Sequence, residues 1–308
     1  MDFEFVLVNK FRNQKSAIRN HLFVFLNPQV LPDMKECVGD YYIINGELRA
    51  AGAFDNNMIY EGESVYEVIR LINGLPVFFS DHCERLDNSR KFQKRDMLAD
   101  SNVLRSDIQY LVNSEKAKEI NIKIVFNYNR SGNYLIYLIH SVYPTKTQYT
   151  KGVNGTFCDA ERENPESKVI SQKLRAEIQD SLLMAGAYEA VLVNKDGFIT
   201  EGSRSNIFLI KDNIVYTAPD KSVLNGITRK HILEICREIG ISVNYTLIPA
   251  DHLSSYECAF MTGTSPGVLP FYCIDSKSFT TGHKIITDLQ KNYQKRVEES
   301  IRGTQGGC

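Results

Sequence analysis

The chain has 308 residues, of which 43% are apolar, 24% charged and 10% aromatic, a composition typical of a globular protein large enough for two domains. Its formal net charge is −1, from 36 basic and 37 acidic side chains, so no overall field attracts nucleic acid or an anionic membrane. The apolar stretches are far shorter than the ~20 residues that span a bilayer, and no signal-like segment is recognisable. We therefore expect a cytoplasmic protein without nucleic-acid or membrane partners.

Cysteine and histidine spacing argues against a protein-only metal site. The seven cysteines are scattered without a Cys-x-x-Cys pair, and the six histidines show no His-x-x-His spacing. These are the spacings that structural zinc sites and zinc hydrolases use. We expect neither a disulfide framework nor a bound metal.

The first part of the chain predicts an antiparallel sheet with grouped helices. Residues 1–38 show no clear periodicity and are interpreted as an N-terminal extension. Two Asn-Gly pairs, Asn45-Gly46 and Asn73-Gly74, then separate short apolar runs, as in β-hairpins. Residues 39–146 are therefore predicted to form a small α+β domain. Its predicted strands cover 41–44, 64–71, 75–79, 121–128 and 134–143, and its predicted helices cover 81–98 and 101–119.

The second part of the chain predicts a larger domain, 147–308. A polar stretch over 144–167 contains several turn signals and is interpreted as the interdomain linker. Glycines at 186 and 240 end two of the helices that follow. The predicted helices cover 171–185, 228–239 and 282–302, and the predicted strands cover 190–194, 198–200, 206–210, 214–216, 243–246 and 258–261.

One loop between two short strands, Thr200–Asn206, suggests chemistry. Taken alone it is typical of a polar β-turn. Lys168 precedes it, however, and Gly226–Arg229 enter a helix downstream. A phosphorylated aldehyde cofactor such as pyridoxal phosphate needs a lysine, a carboxylate for its ring nitrogen and donors for its phosphate. Lys168, Glu201 and the helix that begins near Ile227 can supply these groups.

Six segments, in this order and at this spacing, resemble the class IV pyridoxal-phosphate enzymes. This family includes branched-chain and D-amino-acid aminotransferases and aminodeoxychorismate lyase. The resemblance covers residues 41–302, nearly everything except the extension. The segments are Val65-Tyr66-Glu67-Val68-Ile69-Arg70, His82-Cys83-Glu84-Arg85-Leu86, Ala185-Gly186-Ala187-Tyr188-Glu189-Ala190, Thr200–Phe208, Leu224–Arg229 and Met261–Ser265.

The resemblance implies the roles of individual residues. Lys168 would form the Schiff base with pyridoxal phosphate and move the substrate proton, whereas Lys173 is interpreted as a solvated helix lysine. Glu201 would contact the ring nitrogen. The other implied cofactor-binding residues are Arg85, Ser205, Asn206, Ile227, Thr228 and Thr264. Tyr66, Arg70 and Gly263 would face the substrate, although Arg70 is equally typical of an exposed strand arginine.

The family also implies a fold and an assembly. We expect a two-lobed α+β fold of type IV, with a small sandwich lobe, a larger pseudo-barrel lobe and the cofactor between them. A homodimer is expected. The activity implied is the ping-pong transfer of an amino group between a small amino acid, branched-chain-like or D, and a 2-oxo acid.

Two departures from the family pattern keep other functions open. Residues 126–133 form a tight predicted hairpin where D-amino-acid aminotransferases carry a carboxylate-binding loop, so Arg130 is either a remnant of that loop or simply solvated. A tyrosine common five residues after the cofactor lysine is replaced by Lys173. The alternatives are a 4-amino-4-deoxychorismate lyase and a non-catalytic binding protein with the same fold.

Overall fold

A computed structural model describes residues 35–129 and 132–305. The first of its two sheets is antiparallel throughout, with strand order β2-β1-β6-β5-β3-β4. Positive φ angles at Asn45 (51°), Gly46 (80°), Asn73 (53°) and Gly74 (77°) give the two predicted hairpin turns the twist that matches the flanking strands. The strands are β1 (Cys37–Ile44), β2 (Glu47–Ala50), β3 (Ser64–Ile72), β4 (Leu75–Pro76), β5 (Ile120–Asn127) and β6 (Asn133–Ile139).

Three helices accompany this sheet: α1 (Asn57–Tyr60), α2 (Phe79–Phe92) and α3 (Ser101–Glu115). The Asp100 side chain caps α3 by accepting hydrogen bonds from the first-turn amides, and Lys116 ends the helix in the left-handed conformation. Apolar residues of α2 and α3 pack against β3 and β5 in one buried core. This lobe is the small α+β lobe that the sequence predicts.

The second sheet is larger and mixed, with the order β12-β11-β10-β14-β15-β7-β8-β9-β13 and β16 beside β15. Strand β7 runs parallel to both of its neighbours. The strands are β7 (Val153–Asp159), β8 (Glu189–Val193), β9 (Phe198–Gly202), β10 (Asn206–Lys211), β11 (Ile214–Thr217), β12 (Val243–Tyr245), β13 (Ile248–Pro249), β14 (Cys258–Gly263), β15 (Gly267–Ile274) and β16 (Lys277–Ser278).

Four helices belong to this larger lobe: α4 (Lys146–Lys151), α5 (Gln172–Ala185), α6 (Ile227–Glu238) and α7 (Lys284–Gln305). Gly186, at φ 59°, ends α5 as predicted. Buried residues of α6 and α7 pack on β10 and β14, where the rings of Phe208 and Phe260 stack at 5.0 Å. Among the described helices, none combines the length and apolar character that a membrane crossing needs. The two-lobed α+β fold is confirmed.

The prediction that 144–167 is a linker is wrong over 146–159, which form α4 and β7. The Asn154-Gly155 pair that suggested a turn lies inside β7, between two parallel neighbours. Glycine fits there because a Cβ at position 155 would lie 2.9 Å from the Phe271 ring. Only contacts distant in sequence identify this strand, so its polar composition misled the prediction.

Other boundaries also differ. The strand predicted over 75–79 ends at Pro76, and α2 begins at Phe79 rather than at residue 81. Strand β15 was not predicted at all. The predicted extension overlaps β1, which begins at Cys37. Residues 1–34 of that extension and Arg130 lie outside the described residues.

Backbone pairing joins the two lobes next to Lys168. The Tyr66 amide donates to the Lys168 carbonyl (3.0 Å) and the Ile170 amide donates to the Ser64 carbonyl (3.1 Å), with a bridge between Val65 and Val169. The chain leaving β7 therefore adds a short strand to β3 before it enters α5. This pairing fixes Lys168 against the small sheet.

Glu67 ties β3 to α2. Its buried carboxylate accepts hydrogen bonds from Arg85 Nε and Nη2, both at 2.7 Å, and lies 2.7 Å from His82 Nδ1. Burial alone would raise the pKa of Glu67, but Arg85 and His82 lower that pKa to about 2. The carboxylate is therefore ionised and holds Arg85 in place.

We expect Glu67→Gln to lower the free energy of unfolding by about 3 to 5 kcal/mol, because it leaves the Arg85 guanidinium without its charged partner in a largely buried site. Urea unfolding followed by circular dichroism measures the loss. Glu84→Gln, on the exposed side of the same helix, is the matched control and should cost less than about 1 kcal/mol. Equal losses in the two variants would contradict this role for Glu67.

Candidate active site

Alternating residues of β3 and β5 form one wall of the site. Tyr66, Val68 and Arg70 share a face of β3 because successive strand residues point to opposite sides. Lys123 and Asn121 lie directly across from Val68 and Arg70 on β5. The opposite face of β3 packs on α2, so this face is left to line cavities.

Two cavities lie along this wall. The larger, of about 350 Å³, is lined by Tyr66, Lys168 and Thr264, among others, and the smaller, of about 230 Å³, by Arg70 and Thr264. The larger volume lies within the range of small-molecule sites. Thr264 lines both cavities, and its hydroxyl donates to the Val68 carbonyl at 3.4 Å.

The Lys168 amine lies over the face of Tyr66, with Nζ 4.7 Å from the ring centroid. Burial lowers the pKa of Lys168, the Tyr66 hydroxyl opposes this shift, and the charge of Arg85 adds to it. A lowered pKa increases the neutral fraction of the amine, which is the nucleophilic and basic form. Lys168 is therefore suited to bond to an aldehyde.

Tyr66 lies among cations. Although burial disfavours the phenolate, the charges of Lys168, Arg175, Arg162 and Lys123 lower the pKa of Tyr66 to about 6. The Lys123 amine lies 4.9 Å from the centroid of the same ring and the Arg175 Cζ lies 5.7 Å from it. The larger cavity is therefore a site of positive potential.

Glu201, at the carboxyl end of β9, is buried and ion-paired. Its Oε1 accepts a hydrogen bond from Arg162 Nε at 2.8 Å, and its Oε2 accepts one from the Leu224 amide at 3.4 Å. Burial raises the pKa of Glu201, and the Arg162 guanidinium opposes the shift. A carboxylate in this setting accepts a hydrogen bond from a protonated ring nitrogen more strongly than one in water would.

The loop after Glu201 is anchored by a second buried carboxylate, that of Glu189. Its Oε1 accepts hydrogen bonds from the amide and hydroxyl of Ser203, and its Oε2 accepts one from the Ser205 hydroxyl at 2.9 Å. A Cβ on Gly202 would overlap the Ser205 hydroxyl oxygen. The tight turn that places Glu201 therefore requires glycine at position 202.

A helix N-terminus lies nearby. No side chain caps the first turn of α6, whose N-cap is Gly226, so its amides are available to an anion. The Asn206 side-chain Nδ2 donates to the Leu224 carbonyl at 2.8 Å, and a Cβ on Gly226 would overlap the Asn206 side chain. Arg85 Nη1 donates to the Asn225 carbonyl at 3.3 Å. These contacts bring a cation to the start of α6.

The predicted site residues thus fall into three groups. Lys168, Tyr66 and Thr264 line the larger cavity, and Arg70, Ile227, Thr228 and Thr264 line the smaller one. Arg70 stacks on Tyr143, 4.3 Å from its ring centroid. The others take part in contacts around the cavities: Arg85, Glu201, Ser205 and Asn206 as described, and Gly263 at the end of β14, where a Cβ would lie 3.2 Å from Pro266.

Sequence reasoning missed four charged residues of this site: Arg162, Arg175, Lys123 and Glu189. Arg162 lies in the polar stretch that was interpreted as a linker. Lys123 lies in the middle of a predicted strand. The sequence alone cannot tell whether a lysine at such a position faces a cavity or the solvent. Glu189 lies in the segment that ends at Ala190 and begins strand β8. Because it is two residues from the apolar Val191, strand alternation predicts that both side chains point to the same face.

Residues 64–272 match the family described as amino-transferase class IV. The chain belongs to the class IV aminotransferases. It is 30% identical over 264 residues to the D-alanine aminotransferase of Bacillus licheniformis, covering 78% of this chain and 88% of that protein. It is 25% identical over 260 residues to a probable branched-chain-amino-acid aminotransferase of Rickettsia conorii, covering 79% and 89% respectively.

Solved structures confirm the fold of this aminotransferase. A branched-chain aminotransferase of the archaeon Thermoproteus uzoniensis, solved with norvaline, superposes with a TM-score of 0.75 at 22% identity, over 85% of this chain and 96% of that one. The branched-chain amino acid aminotransferase of T.th., solved with pyridoxamine 5'-phosphate, gives 0.77 at 21% identity, over 88% and 98%. The enzyme of Escherichia coli gives 0.74 at 21% identity, over 83% and 94%.

We expect Gly202→Ala to destabilise the aminotransferase by about 1 to 3 kcal/mol, because the added methyl group displaces the Ser205 hydroxyl and leaves Glu189 short of a donor. Thermal unfolding measures the change. Gly282→Ala, where a Cβ meets nothing within 4 Å, is the control and should have little effect. A Gly202→Ala protein as stable as the control would refute the anchoring.

We also expect one tyrosine of the cofactor-free protein to ionise near pH 6, about four units below an ordinary phenol. Near-ultraviolet absorbance of tyrosinate measures this during a pH titration. Tyr66→Phe should abolish the early step, whereas Tyr110→Phe, at an exposed helix position, should retain it. Titration of every tyrosine near pH 10 or above would show that the cations do not act on Tyr66.

Proposed function

We propose that this class IV aminotransferase uses pyridoxal 5'-phosphate to transfer an amino group between a small amino acid and a 2-oxo acid. The observation that carries the proposal is the Lys168 amine, with its lowered pKa, in a cavity beside Tyr66. The names of the relatives support a D-amino acid or a branched-chain amino acid as the donor. The expected homodimer and cytoplasmic location stay predictions.

The donor set fits the cofactor at both of its charged ends. The uncapped first turn of α6, with Ile227 and Thr228, and the Arg85 guanidinium would bind the phosphate. Glu201, held by Arg162, would bind the ring nitrogen. Thr264 contributes a hydroxyl between the two cavities. Ser205 and Asn206 would act by holding the Glu201 loop and the turn before α6.

When bound, the cofactor supplies an aldehyde and an electron-withdrawing ring that stabilises the electron pair left at the substrate α-carbon. Lys168 would hold the cofactor, and its Nζ, as a free amine, would accept the substrate α-proton and deliver it again during the reaction. Glu201 would accept a hydrogen bond from the ring nitrogen. Because donor and acceptor use one site in turn, we infer ping-pong kinetics.

We expect the purified protein, supplied with pyridoxal phosphate and desalted, to retain a visible absorption band that particular amino acids bleach. Lys168→Ala should lose both the band and the bleaching, because it removes the amine that bonds to the aldehyde. Lys173→Ala removes an exposed lysine five residues further on and should keep both. Spectra recorded with L- and D-amino acids would also identify the donor class.

The same spectra can contradict the proposal. A Lys168→Ala protein that keeps the band would assign the cofactor to another lysine. A wild-type band that no amino acid bleaches would exclude amino transfer and favour another reaction on the same fold.

A further inference from the structure

Arg175 on α5 places an additional positive charge at the larger cavity. It lines this cavity together with Tyr60, Tyr66 and Lys168. It follows Lys168 closely along the chain, and α5 begins between them, at Gln172. The first turn of α5 thus brings the guanidinium into the cavity, while Lys173 on the same turn is exposed.

The nearest neighbours of this guanidinium are two phenols, although the Glu36 carboxylate in the lining of the same cavity also acts on its charge. Arg175 Nη1 donates to the Tyr60 hydroxyl at 3.4 Å, and its Cζ lies 5.7 Å from the Tyr66 ring centroid. In the part of the chain that the structure describes, Arg175 forms no ion pair with a carboxylate. A half-buried guanidinium on a cavity wall is stabilised most by an anion that accepts two hydrogen bonds.

Nearby cations differ from Arg175 in this respect. Arg162 pairs with Glu201 at 2.8 Å, Lys123 pairs with Glu36, and Arg85 pairs with Glu67. Each of these three carboxylates therefore already has a cation of its own. Tyr66 is shared among four cations, so its single phenolate cannot balance both Lys168 and Arg175.

The position of Arg175 relative to Lys168 suits an amino acid. Both side chains lie against the ring of Tyr66, the amine at 4.7 Å and the guanidinium at 5.7 Å from its centroid. In an α-amino acid only the α-carbon separates the nitrogen from the carboxylate. A substrate whose nitrogen is next to Lys168 therefore has its carboxylate within the surroundings of Tyr66 and Arg175.

We propose that Arg175 binds the substrate carboxylate beside the ring of Tyr66. This inference rests on the proposed function and names the residue that would select amino acids and 2-oxo acids over simple amines. It also assigns carboxylate recognition in this chain to the first turn of α5. The binding site for that carboxylate thus lies in the same cavity as Lys168.

The test uses the full-length protein loaded with pyridoxal phosphate and titrated by calorimetry with 4-methylvalerate, a carboxylate that has no amino group to transfer. Arg175→Gln should weaken its binding by about tenfold to 100-fold, the usual loss when a charged hydrogen-bond donor is removed. Arg175→Lys should give an intermediate loss, since lysine keeps the positive charge but cannot donate two parallel hydrogen bonds to a carboxylate. The neutral alcohol 4-methylpentanol should bind the wild-type and variant proteins alike.

Lys173→Gln is the matched control, because it removes one positive charge from the same helical turn without removing a cavity group. Its affinity for 4-methylvalerate should equal that of the wild type. If Lys173→Gln and Arg175→Gln lost the same affinity, the effect would come from the overall charge of the protein and the proposal would be overturned. Unchanged binding by Arg175→Gln would also overturn it. Circular dichroism checks that each variant is folded. If Arg175→Gln does not fold, the affinity of Arg175→Lys is compared with that of the wild type instead.

The absorption band separates this test from that of the proposed function. A wild-type protein without the band refutes the cofactor assignment itself. A wild-type protein whose band is bleached by amino acids, with Arg175→Gln keeping full carboxylate affinity, refutes only the role of Arg175.

Discussion

The site depends on the pairing of a short segment, Lys168–Ile170, with the edge of β3 near Tyr66. Two backbone hydrogen bonds hold Lys168 of the larger lobe against the sheet of the smaller one. Without them, Lys168 would occupy the irregular connection between β7 and α5, and such loops are normally mobile. With them, the amine keeps a fixed position over an aromatic ring.

This pairing brings several positive charges close together, and the surrounding carboxylates balance only some of them. Bringing the lobes together gathers Lys123, Arg162, Lys168 and Arg175 around one phenol. Carboxylates from distant parts of the chain, Glu36 and Glu201, balance two of these cations. The remaining positive potential makes the cavity receptive to anions, and the charges of Arg85 and Arg162 add to the effect of burial in lowering the pKa of the Lys168 amine.

Much of the fold was predictable because its signals are local. Asn-Gly pairs specify hairpin turns through their positive φ angles, and Gly186 ends a helix for the same reason. Strand β7 was not predictable in this way, because a polar sequence becomes a central strand only through its neighbours β8 and β15. Periodicity describes one element at a time and cannot report such pairing.

The same distinction applies to the site. Lys168, Glu201 and the start of α6 were predictable as motifs, and the structure brings them close together. The ion pair that holds Glu201 was not, since Arg162 lies 39 residues away in sequence and in a stretch without regular pattern. Arg175 likewise looks like any helix-surface arginine until the opposite wall of the cavity is known.

The anchoring of the Glu201 loop by Glu189 has an entropic consequence. Three serine hydrogen bonds immobilise the turn within the polypeptide itself, and the cost of that ordering is met when the chain folds. A ligand that reaches Glu201 therefore finds its partner already oriented. The free energy of binding at Glu201 therefore comes from the contact itself, and little of it is spent on ordering a flexible loop.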